Sequence, residues 1–126
     1  MFSSLLHVAL GGALGASLRY LAGLGILRMI GHQPFPVAIL AVNVLGSFLM
    51  GVFVVAAAHR GLTHLSPLVM TGILGGFTTF SAFSLEAVTL YERGAVGQAA
   101  LYVGASVILS IGGLMAGLVI ARGIWA

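Results

Sequence analysis

Cysteine, lysine and aspartate are absent from this 126-residue chain, and glutamate occurs only twice. Without cysteine there is no disulfide framework and no thiolate site, so redox chemistry says nothing about the compartment. Two isolated glutamates supply no paired carboxylates. No nucleophile–base pair and no phosphate loop occurs either, and these absences exclude an enzyme. Charge is scarce altogether, at 6% of residues, against about 25% in a soluble domain. What is present is apolar: 60% of residues are hydrophobic and the mean hydropathy is +1.20. Such a chain cannot clothe a water-facing surface, so it belongs in a lipid bilayer. The net charge of +3 comes from arginines that stand singly, mostly at the ends of apolar segments. A nucleic-acid partner would call for a basic face or run, and there is none. His7, His32, His59 and His64 show no metal-ligand spacing.

A helix that spans a bilayer needs about 20 mostly apolar residues. Four segments meet this, over 4–29, 36–58, 66–91 and 96–121. The loops between them are short: Gly31 to Pro36 with two prolines, His59 to His64, and Glu92-Arg93-Gly94. The first segment lacks a positive n-region and outruns the apolar stretch of a signal peptide, so it is expected to remain as a transmembrane helix. The expected architecture is an all-α membrane protein of one four-helix domain. With four spans, both termini share a side with Arg60 and Arg122, and the other side carries Arg28 and Arg93. Two against two gives no bias under the positive-inside rule. Insertion in both orientations follows, and with it pairing of inverted copies about an axis in the membrane plane.

Nineteen glycines lie mostly inside the apolar spans. Gly11/Gly15, Gly72/Gly76 and Gly113/Gly117 form G-x-x-x-G pairs, and Ser47/Gly51 a small-x-x-x-small pair. These predict close helix packing. The stretch Gly75-Gly76-Phe77-Thr78-Thr79-Phe80-Ser81-Ala82-Phe83-Ser84 is different. Paired glycines and threonines weaken a helix at membrane depth, and irregular backbone there is tolerated only where protein or a watery path covers it. The spacing predicts a broken third helix, with Phe80 and Phe83 on one face of the resumed part.

Polar groups at membrane depth complete the candidates. Arg19 lies nine residues before Arg28, about 13 Å along a helix. It reads either as a vestibule charge that attracts anions or as a carbonyl-bonded packing residue. Asn43 shares a face with Ser47; it reads as interhelical hydrogen-bond glue or as an NH₂ donor along a path. Tyr102, Ser106 and Ser110 form a one-sided hydroxyl stripe on the fourth span. Glu86 lies one turn beyond Phe83, as an interfacial residue or a mouth acceptor. Asn43, the serine and tyrosine hydroxyls, Phe80 and Phe83 are donors or neutral. A phenyl ring has a positive edge, so two rings presented edge-on attract an anion weakly, as conduction requires. Carbonyls around Gly75 to Thr78 suit a cation, which would raise the potential for an anion nearby.

The chain strongly resembles the Fluc (CrcB) family of bacterial fluoride channels over essentially its whole length. The resemblance is carried by Gly12-x-x-Gly15-Ala16-x-x-Arg19-Tyr20, by Val42-Asn43-x-x-Gly46-Ser47-Phe48-x-x-Gly51 and, above all, by Gly75 to Ser84. It implies a dual-topology, antiparallel homodimer in the bacterial plasma membrane with two fluoride pores. Phe80 and Phe83 are implied to supply a phenylalanine box, Asn43 the pore asparagine, and Ser81 a further pore contact. Tyr102, Ser106 and Ser110 are implied to form the polar track. A structural sodium ion (Na+) is implied at the two-fold axis, on backbone carbonyls of Gly75 and Thr78. Arg19 matches the family arginine. One departure is visible: the family's threonine four residues before the asparagine is Ile39 here, preceded by Ala38.

Two other classes remain in view. A small multidrug-type proton-coupled exporter shares the size and helix count, but it needs an intramembrane carboxylate, and the first span has none. A non-transporting packing subunit would explain the glycines alone.

Overall fold

Inside lipid no water satisfies the backbone, so a spanning segment must close its own hydrogen bonds, as a helix does. The computed structural model describes residues 1–125, and its regular elements are all helical. α1 (Phe2–Ile30) and α2 (Val37–Arg60) are long helices. A 3₁₀ turn at Thr63–Leu65 leads into a π-wound segment, Pro67–Leu74, which continues into α3 (Gly75–Phe77). α4 (Phe80–Glu92) and α5 (Val96–Trp125) follow. Four runs are long and apolar enough to cross a membrane: Phe2–Ile30, Val37–Arg60, Thr63–Glu92 and Val96–Trp125. Among the described residues these runs overlap the four expected segments; the second begins one residue later, at Val37, and the fourth extends further, to Trp125. Gly31, Gly61 and Gly94 have positive φ of 73°, 67° and 86° and stand at the three connections. Only glycine takes that geometry without steric cost, so it ends a helix sharply.

The glycines inside the spans serve close approach. α2 packs most extensively with α5, and α1 with the Pro67–Leu74 segment. A methyl group on Gly15 would collide with the Ile73 carbonyl, and one on Gly11 with the Leu68 carbonyl. On the other seam, Gly51 lies against the Leu114 carbonyl and Gly117 against the Phe48 carbonyl. Lipid tails are as apolar as leucine, so helices associate through such contacts and not through the hydrophobic effect. Gly51→Ala is therefore expected to destabilise the protein by about 1–3 kcal/mol. Gly112 faces open space, so Gly112→Ala is expected to be neutral. Thermal unfolding in detergent, followed by circular dichroism, compares the two.

α4, α5 and the start of α2 enclose a small core of Phe83, Leu90, Ala99 and Tyr102, with Phe35 and Ile39 packed against it. This cluster adjoins the functional region.

Candidate functional site

The region is built around Thr78 and Thr79. Helical bonding ends where the Thr78 N–H donates to the Leu74 carbonyl at 3.0 Å. Thr78 (φ −87°, ψ 157°) and Thr79 (φ −150°, ψ 117°) are then extended. Their β-branched side chains suit that conformation. The helix resumes at Phe80 with Thr79 as its N-cap, whose Oγ1 accepts from the Ala82 N–H at 3.1 Å. The Thr78 hydroxyl donates back to the Leu74 carbonyl at 3.0 Å. Gly46 leaves room for the Thr78 methyl, since a Cβ there would meet it.

Two side chains from other helices hold this segment. Asn43 binds both backbone groups of Thr79: its Nδ2 donates to the Thr79 carbonyl at 3.0 Å, and its Oδ1 accepts the Thr79 N–H at 2.8 Å. Arg19 Nε donates to the Gly76 carbonyl at 3.1 Å. Of the two readings open for each residue, the backbone-bonding one is realised in these contacts. The clamp also matters for a cation. In an uninterrupted helix the Thr79 N–H would be aimed at the Gly75 carbonyl; here Asn43 takes it. The ψ of Thr78 likewise turns its own carbonyl away from the helical ladder. Neutral carbonyl oxygens on an interrupted backbone fit a hard monovalent cation.

Arg19→Met removes the donor to Gly76 and keeps an apolar stem. Such a bond from a charged group contributes about 1.5–3 kcal/mol, and a loss of that order is expected in the same unfolding assay. Wild-type stability in Arg19→Met would instead leave the charge free to act only electrostatically.

A pocket of about 290 Å³ opens beside the clamp. Asn43 and Ser47 line it from α2, Thr78 and Thr79 from the extended segment, Phe80 and Phe83 from α4, and Ser106 and Ser110 from α5. No carboxylate is among its lining residues. The Phe80 and Phe83 rings meet at 5.3 Å with planes tilted by 47°. Phe80 is 78% exposed on the single chain, whereas Phe83 is buried. The Ser106 hydroxyl is buried and has no hydrogen-bond partner among the described residues. An unpaired buried hydroxyl costs about 1–3 kcal/mol.

The expected site residues divide. Asn43, Phe80, Phe83, Ser106 and Ser110 converge on the pocket, together with Thr78. Tyr102 does not line it; its side chain is wholly buried behind Phe83, and its hydroxyl is also unpaired. Ser81 is exposed, with its Oγ 3.3 Å from Thr79 Oγ1. Gly75 is exposed and Thr78 half-buried. Glu86 is half-buried on α4, outside the pocket lining. Ile39 packs against the Tyr102 core and brings no donor. Two contributors carry little mark in the sequence. Thr79 is marked in the sequence as one of the helix-weakening threonines, but not as the residue whose backbone Asn43 binds. Ser47 reads as a packing residue from its spacing to Gly51, yet it lines the pocket.

The carboxylate-free lining bears on the proton-coupled exporter, which would need an acid on its path; that alternative finds no support. Comparison with known proteins gives the affiliation. Residues 6–118 match the family described as CrcB-like protein, Camphor Resistance (CrcB). A protein of Ruegeria sp. (strain TM1040) is 68% identical over 98% of this chain and 98% of its own length. One from Roseobacter denitrificans is 69% identical over 97% of this chain and 98% of its own. One from Jannaschia sp. is 78% identical over 80% of this chain and all of its own. Each of the three bears the name fluoride-specific ion channel FluC. With the match covering nearly all four spans, the chain belongs to the CrcB-like family.

Proposed function

We propose that this protein is a fluoride-specific channel of the bacterial plasma membrane. It lets fluoride leave the cell passively and so lowers cytoplasmic fluoride. The observation that carries the reading is the donor-lined pocket without a carboxylate, in a chain whose relatives at 68% identity are named fluoride-specific channels. Fluoride is small and strongly hydrated, so it needs donors that replace water along the way. The Ser106 and Ser110 hydroxyls are such donors. The Asn43 amide has a second N–H beyond the one that binds Thr79. The edges of Phe80 and Phe83 add weak positive potential, so an ion enters without being trapped. Ser81 and Tyr102 extend the path beyond the pocket.

On this reading the functional unit is an antiparallel, dual-topology homodimer. The exposed Phe80 ring and the balanced arginines support it. Thr78 and Thr79 form the break of the third transmembrane helix. The Gly75 and Thr78 carbonyls of both subunits hold a structural Na+, which would add a fixed positive charge near the path. Arg19 serves this arrangement by anchoring the Gly76 carbonyl.

Vesicles that contain only this protein test the function. With potassium fluoride inside and a potassium ionophore present, fluoride is expected to leave rapidly without proton movement, and chloride to stay. Vesicles that retain fluoride would sink the proposal. Efflux of drug cations driven by protons and abolished by Glu86→Gln would replace it with the exporter.

A further inference from the structure

The cluster beside the pocket contains an aromatic residue to which the fluoride reading gives no part. Phe35 lies in the loop between α1 and α2, between Pro34 and Pro36. Its ring stands perpendicular to that of Tyr102, at 90° with centroids 5.6 Å apart. On the other side, Phe83 meets the Tyr102 ring at 5.3 Å and 41°. Tyr102 is thus held between a pocket residue and a loop residue, and its side chain has no exposed surface.

Tyr102's hydroxyl has no partner among the described residues. Ile39, packed against the same cluster, has no side-chain polar atom to offer. The position of this hydroxyl is set by the ring that carries it, and the ring is flanked by Phe35 and Phe83. Phe35 is itself anchored. Arg93 Nη2 donates to the Pro34 carbonyl at 3.1 Å, and the Val37 N–H donates to the Phe35 carbonyl at 2.8 Å. The flanking prolines restrict the backbone further. The loop is therefore a rigid mount for one ring.

We propose that Phe35 is a positioning residue that sets the orientation of the Tyr102 ring, and through it the direction in which the buried hydroxyl meets fluoride. The inference rests on the fluoride reading for its consequence, but the contact itself is measurable without flux. Losing an aromatic pair of this kind is expected to lower fluoride flux about 2- to 10-fold.

The test uses the full-length protein with Tyr20→Phe and Tyr91→Phe, both positions being exposed, so that Tyr102 is the single tyrosine. Biosynthetic 3-fluorotyrosine then reports on Tyr102 by ¹⁹F NMR, and the same preparations are assayed for flux in vesicles. The parent is expected to show the narrow, displaced resonances of an enclosed ring. Phe35→Ala and Phe35→Leu are expected to broaden them and move them toward the solvent-exposed position, with the flux loss given above. Phe35→Tyr keeps the ring and is expected to restore flux; it shows a second set of resonances from the new tyrosine, while those of Tyr102 are expected to return to the parent position. The proposal is overturned by unchanged resonances in both the alanine and leucine variants. It is equally overturned if leucine matches the parent in resonance and flux, which reduces Phe35 to filled volume, or if resonances move while flux does not. Parent vesicles that fail to conduct defeat the fluoride reading instead; the resonances alone then decide whether Phe35 holds Tyr102.

Discussion

Asn43→Leu is expected to abolish fluoride flux and to destabilise the protein by about 2–6 kcal/mol. The variant leaves the Thr79 N–H and carbonyl without the partners they have at 2.8 and 3.0 Å. Each orphaned backbone group at membrane depth costs about 1–3 kcal/mol, and no water is at hand to compensate. Leucine has the branched outline of asparagine and the same number of side-chain heavy atoms, but it is bulkier and offers no polar atom, so the clamp is lost. The extended segment then has every reason to continue as helix, because the Thr79 N–H can return to the Gly75 carbonyl. That return would consume an oxygen of the proposed Na+ site. Sodium binding to the purified protein, followed by ²³Na NMR, is therefore expected to weaken together with flux. Asn43→Asp separates the two roles: its carboxylate still accepts the Thr79 N–H but offers no donor to the carbonyl or to an anion. It is expected to retain more stability than Asn43→Leu and to conduct no better. Normal flux in Asn43→Leu would remove this residue from both the scaffold and the path.

Phe83→Ile is expected to cut flux about 10- to 100-fold, equivalent to about 1.4–2.7 kcal/mol in the barrier. Phe83 is buried between Phe80 and Tyr102, with ring centroids 5.3 Å from each. Isoleucine retains most of the apolar bulk and removes the ring, and with it the positive edge that the pocket offers an anion. The comparison with Phe80→Ile is informative because Phe80 is 78% exposed on the single chain. Its replacement is expected to reduce flux with almost no effect on the stability of the individual subunit, whereas Phe83→Ile also loosens the core around Tyr102. Flux that falls only in proportion to destabilisation would indicate packing. A fall in Phe80→Ile at unchanged stability would indicate the rings themselves. Wild-type flux in both variants would take the phenylalanines out of the mechanism.

The site is polar where lipid would forbid polarity, and each polar group answers to a partner or is left for an ion. Asn43, Arg19 and Thr79 are bonded to backbone. Tyr102 and Ser106 hold hydroxyls that no described residue satisfies. On the proposed reading, groups with protein partners hold the backbone open, and the Ser106 hydroxyl is one that can meet the permeant ion. Asn43 has a share in both.

Much of this was settled by the chain's chemistry before any folding. Hydropathy points to four helical spans, because each apolar run is long enough to cross the bilayer as a helix that satisfies its own backbone. The scattered single arginines offer no basic face or run to a nucleic acid. The Gly75 to Ser84 stretch announces where helical bonding fails and which rings stand beside it. Composition and spacing could not choose between the paired readings of Asn43 and Arg19. Their partners lie 36 and 57 residues away in the chain, and only the docking of α1 and α2 against the extended segment brings them within reach. For the same reason a periodic hydroxyl stripe on α5 does not reveal that Ser106 lines the pocket while the Tyr102 ring is packed between Phe83 and Phe35. Helical period states which residues share a face, but what covers that face depends on how neighbouring helices cross it.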